Sequence, residues 1–289
     1  MNSPRDLRRR IKSIGGTAQI TKAMQMVAAS KMRKAQQAAL EAQGFAALLY
    51  RIQRGAIIHA PGFTHPVLEV REVRKRAVIL IAADKGLCGA LNTNVFRLAA
   101  QFDPASTVFI TAGRKASQFV VRTRRELVAE FAYGDTPSFP EARAIATLAR
   151  DLFVKGEVDE VQIIATHFVN TLTQNAIARR LLPVGALADM KLPGVQIDEA
   201  GAMADPSEAV FEPDSETVLG YLLDRYLNIF VYFLLLNAKA SEQSARMVSM
   251  KNATDSADTL ITDLRLIYNT LRQGNITKEL LEIAGGQAE

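Results

Sequence analysis

The sequence is poor in the residues that build disulfides, metal sites and nucleophilic catalytic sites. Its 289 residues include one cysteine, Cys88, and three histidines. A single cysteine excludes an internal disulfide and fits a reducing compartment. His59, His65 and His167 are too scattered in sequence to indicate a metal site, and no serine–histidine–aspartate or cysteine–histidine pattern is visible. We therefore predict no metal ion, no cofactor and no catalytic set.

Long hydrophobic runs are also lacking. The longest lies between Arg225 and Lys239, covers residues 226–238 and contains two asparagines. A membrane-spanning helix requires roughly 20 apolar residues, so this run predicts a buried helix segment or a helix–helix contact. The N-terminus leads directly into a helical pattern and has no apolar stretch of the kind found in export signals.

A phosphate-binding loop is lacking in its usual forms. The stretch "DKGLCGALN", residues 84–92, is a glycine-containing turn between a strand and a helix. Gly86 and Gly89 satisfy neither the dinucleotide pattern nor the Walker pattern, so a structural turn around a buried Cys88 is the alternative. Arg114 and Lys115 in "TAGRK" stand at a helix start where an anion could bind; a solvated turn is the alternative there.

Negative charge is scarce near the N-terminus. The net charge is +5, which favours an acidic partner such as nucleic acid, an anionic membrane or an acidic protein. The first forty residues hold one acid, Asp6, against nine bases: Arg5, Arg8, Arg9, Arg10, Lys12, Lys22, Lys31, Arg33 and Lys34. Such a helix could bind nucleic acid. However, no aromatic residues alternate with its bases, and "ITKAMQMVAASKMRKAQ", residues 20–36, is apolar nearly all round at its centre. A protein partner with a hydrophobic sleeve and acidic loops fits both features.

Both ends of the chain have helical patterns with the coiled-coil period. The first runs from Asp6 to about Arg54, and the last runs from about Pro213 to the end. Apolar or small residues recur at alternating spacings of three and four. The N-terminal seam is Leu7, Ile11, Ile14, Ala18, Thr21, Gln25, Ala28, Met32, Ala35 and Ala39, and the C-terminal seam is Met247, Met250, Thr254, Ala257, Ile261, Leu264, Tyr268 and Leu271. Since one seam is mostly small and the other mostly large, we predict that the termini pair in one long coiled coil.

The middle of the chain predicts a small α/β domain with a largely parallel sheet. Strands are predicted at 76–83, 106–112, 127–133, 158–168 and 176–184, with helices from Asn92, from Gly113 and over 141–154. Residues 185–214 predict a loop or linker. The predicted division is an N-terminal coiled-coil helix at 1–56, an α/β domain at 70–190 and a C-terminal coiled-coil helix at 211–289.

Four motifs resemble one known family. The stretches "RRRIKSIGGTAQITKAMQMVAASKMRKAQ", "DKGLCGALNTNVF", "ASEQSARMVSMKNATDSA" and "LRLIYNTLRQGNITKELLEI" are similar, in this order, to gamma subunits of F-type ATP synthases. The resemblance implies an antiparallel coiled-coil shaft of the two terminal helices with a Rossmann-like α/β domain at its foot. It implies a rotor that couples ion-driven rotation of the c-ring to conformational cycling of the catalytic beta subunits. The chain itself would be non-catalytic and would bind no nucleotide.

The resemblance also implies partners and contact residues. The partners would be the alpha and beta subunits, the epsilon subunit and the c-ring, with no nucleic acid and with membrane association only through the complex. A foot contact with the c-ring would involve Glu212, for which a helix-entry loop with Asp214 as cap is the alternative. The expected beta-subunit contacts are Arg272, Gln273, Thr277, Glu279, Met24, Lys22, Arg33 and Lys34. For the three N-terminal basic residues of this set, a solvated helix face is the alternative.

Two glycine-containing sites depart from the family pattern. Gly15 and Gly16 interrupt the first helix, and Gly274 with Asn275 interrupts the expected beta-contact segment, at about 1 kcal/mol per glycine relative to alanine. We expect both sites to soften the shaft.

Because the chain starts without an extended transit sequence, we expect a bacterial plasma membrane location, peripheral and on the cytoplasmic side. The alternatives are a basic helical nucleic-acid binder with an α/β domain and a nucleotide-using enzyme.

Overall fold

The computed structural model describes residues 3–58, 60, 62–184, 212 and 214–285. Two long helices dominate it, α1 at Pro4–Ile58 and α5 at Ser215–Gly285. The described residues up to Ala29 and from Arg246 form one compact unit, and those from Ser30 to Ala245 form a second unit. The three-part division made from the sequence stays a prediction, and most of the predicted linker, 185–214, lies outside the described residues.

The second unit contains a five-stranded sheet in the order β3-β2-β1-β4-β5. Strands β1 to β4 are parallel, and β5 runs antiparallel to β4. The strands are β1 Arg76–Ile81, β2 Thr107–Ala112, β3 Glu126–Phe131, β4 Glu160–Phe168 and β5 Gln174–Leu182. The shorter helices are α2 Leu91–Ala99, α3 Arg114–Arg122 and α4 Phe139–Val154, and a 3-10 turn covers Pro66–Leu68. The predicted α/β fold with a largely parallel sheet is confirmed.

Two predicted boundaries were wrong for identifiable reasons. Helix α4 begins two residues before the predicted Glu141, because Ser138 and Glu141 form a capping box that satisfies free N–H groups of the first turn. Strand β4 begins at Glu160 and not at Val158. The carboxylate of Asp159 accepts hydrogen bonds from the backbone N–H groups of Arg74 and Lys75 at 2.9 and 3.0 Å, and the chain bends at this residue before the strand begins.

The sheet is covered on both faces because successive side chains of a strand point to opposite sides. In β1, Val78 and Leu80 join the cluster under α2 and α3, whereas Ile79 and Ile81 join the cluster under α4 and α5. All four are at most 1% exposed. This two-sided burial explains the nearly continuous apolar sequence of β1.

Helix α5 contains the long apolar run. Among the described helices it is long and apolar enough to cross a membrane by length and composition, yet 56% of its most apolar window is buried inside the protein. Leu234, Leu235 and Leu236 are fully buried. The prediction of a buried helix segment is confirmed.

Candidate interaction surfaces on the helical coil

The first unit is a two-helix coil whose seam matches the predicted one. Every predicted seam residue from Leu7 to Ala28 is buried or half-buried, and so is every one from Met247 to Tyr268. The Thr21 and Thr254 hydroxyls lie 2.7 Å apart across the seam. Three residues before Thr21 is Ala18, and three residues after Thr254 is Ala257; both are buried. In the antiparallel pairing that we predicted, Thr21 opposite Thr254 brings Ala18 level with Ala257, and the burial of both alanines agrees with this arrangement.

The coil leaves an apolar strip of α1 uncovered within its own unit. Ile20, Met26 and Val27 are 63%, 62% and 54% exposed. Ile20 and Val27 are seven residues apart and share one face of the helix, which Ala23 continues. Contiguous exposed apolar surface of this kind marks an interaction site. The stretch 20–36 is apolar nearly all round at its centre because one side packs in the seam of the coil and the other side forms this exposed strip.

The predicted N-terminal contact residues lie on the same helix, α1, as this strip. Lys22, Arg33 and Lys34 are exposed, and Met24 is half-buried. The three cations are therefore accessible to a partner, and the exposure of these side chains is equally compatible with the solvated face that we named as the alternative.

The C-terminal end of α5 is exposed among the described residues. Every described side chain from Asn269 to Leu281 is exposed, and the described helix α1, with which α5 pairs, begins at Pro4. Leu271, predicted to belong to the seam, is 38% exposed. The uncovered stretch includes Leu280 and Leu281, which are 61% and 67% exposed.

The four predicted C-terminal contact residues all lie on this uncovered stretch. Arg272, Gln273, Thr277 and Glu279 are exposed. Thr277 donates its hydroxyl hydrogen to the Gln273 carbonyl oxygen, four residues earlier in the same helix, at 2.9 Å. The helix continues through Gly274 without a break.

Asp214 caps the start of α5. Asp214 accepts hydrogen bonds from the backbone N–H and the hydroxyl of Thr217, both at 2.8 Å. These bonds hold the pKa of the Asp214 carboxyl below its usual range, the backbone bond most strongly. Glu212 is exposed, and its predicted contact with a c-ring stays a prediction.

The α/β domain has the crevice at which doubly wound folds bind ligands, at the carboxyl ends of the parallel strands where the strand order reverses. Here the crevice between β1 and β4 is covered by α5. Ala245 packs against the buried cluster of Ala83, Cys88 and Leu91. Ser244 donates a hydrogen bond to the Thr171 carbonyl oxygen at 2.8 Å, in the hairpin after β4.

The two stretches considered as anion sites, residues 84–92 and 111–115, form hydrogen bonds with other parts of the chain. In "DKGLCGALN", the Asn92 side-chain oxygen accepts a hydrogen bond from the Ala83 backbone N–H at 3.1 Å, and Cys88 is 2% exposed. At the start of α3, the Arg114 backbone N–H donates to the Asp84 carboxylate at 3.0 Å. A protein carboxylate therefore already occupies the N-terminus of α3. Among the described residues, no group of histidine, cysteine and acidic side chains could hold a metal ion.

Sequence reasoning missed one buried charged cluster. Lys239 is 2% exposed and its ammonium lies 3.2 Å from the Glu242 carboxylate and 3.7 Å from that of Asp135. A hydrogen bond from Lys31 is the main reason why the pKa of the Asp135 carboxyl is lowered. The available signal was a lysine and a glutamate three residues apart, directly after the most apolar run of the chain.

Comparisons with known proteins agree along the whole chain. The protein family described as ATP synthase matches residues 3–288. The ATP synthase gamma chain of Opitutus terrae is 43% identical over 290 residues, which cover 99% of this chain and 98% of that protein. The gamma chain of Desulforamulus reducens is 42% identical over 291 residues, covering 100% and 99%.

Solved structures give the same fold. A chain in the central stalk and c-ring structure of the Tetrahymena thermophila mitochondrial ATP synthase matches with a TM-score of 0.60 at 26% identity, covering 81% of this chain and 99% of that chain. A chain of the Euglena gracilis mitochondrial ATP synthase matches in fold with a TM-score of 0.67 at 19% identity, covering 99% and 93%.

Proposed function

The chain belongs to the ATP synthase family, among its gamma chains, and from this premise we propose that it is the central-stalk rotor of an F-type ATP synthase. Ion flow turns the c-ring, the α/β domain is carried with it, and the coil turns inside the ring of alpha and beta subunits. An asymmetric shaft shifts each beta subunit among its conformations because it makes different contacts with each of them. The shaft transmits the work of rotation because its contacts differ from one beta subunit to the next, and the chemistry takes place on the beta subunits.

The observation that carries this proposal is the uncovered surface of the coil. The apolar strip of Ile20, Met26 and Val27 and the bare end of α5 require a partner that surrounds a helix pair. A ring of subunits provides such a sleeve. The neighbouring cations Lys22, Arg33 and Lys34 suit acidic loops on its inner wall.

Two contact sets follow for the beta subunits. Met24, Lys22, Arg33 and Lys34 form the first set. The second set lies on the stretch of α5 that is exposed on all sides and consists of Arg272, Gln273, Thr277 and Glu279. Single exposed ion pairs contribute under about 1 kcal/mol, so we expect the sets to act collectively and each single charge to matter little.

The foot contacts and the location complete the proposal. Glu212 meets a loop of the c-ring, and the epsilon subunit binds at the foot. The chain is non-catalytic, which is supported by the packing of α5 over the ligand crevice of the α/β domain. It lies peripherally on the cytoplasmic side of a bacterial plasma membrane and is held there by the complex alone.

The test is purification of the tagged chain from solubilised native membranes, with identification of all stoichiometric partners. We expect alpha, beta, epsilon and c subunits and an ATPase activity that depends on this chain. Recovery of the chain alone, or with nucleic acid, would contradict the proposal and favour the basic nucleic-acid binder.

A matched pair of variants tests the sleeve. Val27 on the coil and Val121 on α3 are 54% and 63% exposed, so replacing either by glutamate leaves the isolated chain folded. Val27→Glu buries a charge when the sleeve closes and should lower assembly or ATPase activity strongly. Val121→Glu should change neither. Equal effects of the two variants would show that the strip is not covered.

A further inference from the structure

The buried cluster around Lys239 joins several elements of the second unit. The Lys239 ammonium lies 3.2 Å from the Glu242 carboxylate, 3.7 Å from the Asp135 carboxylate and 4.9 Å from the centre of the Tyr133 ring. Lys239 and Glu242 are 2% and 3% exposed. Such an ammonium is tolerated in the interior only when it is paired and hydrogen-bonded.

The partners of Lys239 are themselves fixed by different elements. Asp135, in the loop after β3, also accepts a hydrogen bond from Lys31 of α1. The Tyr133 hydroxyl donates to the Ala82 carbonyl oxygen at 3.0 Å, just after β1. The same carbonyl oxygen lies 2.0 Å from the position that a Cβ on Gly113 would take. The cluster therefore connects α1 and α5 to the carboxyl edge of the sheet in a tightly packed place.

Two other directional contacts hold α5 on the domain, one on each side of the apolar run: Asp224 accepts a hydrogen bond from Arg150 at 2.8 Å, and Ser244 donates one to the Thr171 carbonyl oxygen at 2.8 Å. From Val231 to Leu236 most of the side chains of α5 are buried and apolar, with Tyr232 half-buried. Apolar burial is non-directional, so this stretch by itself defines the rotational orientation of α5 less sharply than hydrogen-bonded pairs do. A buried ammonium between two carboxylates and a ring fixes the orientation, because each contact has its own optimal geometry.

We propose that Lys239 is a positioning residue that, together with the Arg150–Asp224 and Ser244–Thr171 contacts, sets the rotational orientation of α5 on the α/β domain and so makes this joint stiff to torque. The proposal rests on the rotor function proposed above. Helix α5 continues from Lys239 to Gly285 as one helix, so torque applied to the domain enters the shaft through this joint. Asp135 and Glu242 hold the ammonium, and Lys31 holds Asp135.

The test separates stiffness from folding. Lys239→Met alone leaves Glu242 buried without the ammonium. The double variant Lys239→Met with Glu242→Gln removes both charges and should restore the thermal stability of the complex. The control is Lys251→Met, which removes an exposed lysine of the same helix. The readout is the angular variance of a rod attached to the α/β domain while the catalytic ring is immobilised and held without nucleotide turnover.

We expect the angular variance to rise in the double variant, by up to about twofold because the apolar packing left around residue 239 is non-directional while the Arg150–Asp224 and Ser244–Thr171 contacts remain. It should stay unchanged in Lys251→Met. A double variant with the stability and variance of the control overturns the proposal. If the double variant fails to assemble, Asp135→Asn is used, because its side chain is 55% exposed and tolerates the change; unchanged variance there also overturns the proposal. A native chain whose rod does not turn with ATP contradicts the rotor function itself and this inference with it.

Discussion

Replacing Gly15 and Gly16 by alanine should stabilise the coil. Both glycines lie inside α1, and a Cβ added at either would meet nothing within 4 Å. Alanine is favoured over glycine in a helix interior by about 1 kcal/mol, so the double variant should gain about 2 kcal/mol. With roughly 2 to 4 °C for each kcal/mol, the unfolding transition of the coil should rise by about 4 to 8 °C.

The assay is thermal unfolding of the isolated chain, followed by circular dichroism at 222 nm. The same substitution elsewhere should have the opposite sign. Gly156 ends α4 with a φ of +74° and open space around it, so alanine there should cost about 1 to 2 kcal/mol of backbone strain. At Gly113, with a φ of +94° and the Ala82 oxygen 2.0 Å from the new Cβ, the cost should be about 3 kcal/mol or more. An unchanged or lowered transition in Gly15→Ala/Gly16→Ala would refute the reasoning that these glycines only weaken a continuous helix.

Three further predictions concern the seam of the coil and the ion pair at Asp135. Thr254→Val should lower the free energy of unfolding, measured in urea, by about 0.5 to 1.5 kcal/mol because it removes the hydrogen bond to Thr21. Changing both threonines to valine should cost less than the sum of the two single losses. Additive losses would contradict the pairing. Leu7→Ala, at a side chain that is 1% exposed, should cost about 2 to 5 kcal/mol in the same assay, and a loss below 0.5 kcal/mol would show that the end of the coil is open. Asp135 has a pKa lowered mainly by Lys31. Its carboxylate therefore stabilises the fold above the unfolded pKa of about 3.9, and this contribution is lost as pH falls through the lower folded value; carboxyl NMR should show that pKa rising in Lys31→Met, and an unchanged pKa would exclude the contact.

The coiled coil was predictable because it is determined by local sequence periodicity. In both helices the seam residues recur at spacings of three and four. The register, in which Thr21 lies opposite Thr254, was not predicted, because these two residues are equal in size. The strands of the sheet were predictable for a similar reason, since a strand buried on both faces is a short continuous apolar run. Both signals lie within a few residues of chain.

The buried charged cluster was not predictable because its members are far apart in sequence. Lys31, Asp135 and Lys239 come from three separate elements, and only the packing of α5 on the sheet brings them together. The covered ligand crevice depends on the same packing, through Ala245. Sequence patterns do not contain such long-range pairings. The proposed contacts with other subunits depend on surfaces outside this chain altogether.

The most direct test of the rotor function is observation of rotation. In a complex immobilised through its catalytic ring, a gold rod is attached to Val121→Cys, whose position on α3 is 63% exposed, whereas the native Cys88 is 2% exposed and escapes labelling. We predict that ATP drives the rod round in one direction, in steps that correspond to the beta subunits, and that rotation stops when ATP is removed. A rod that only fluctuates about a fixed angle during ATP hydrolysis would contradict the account.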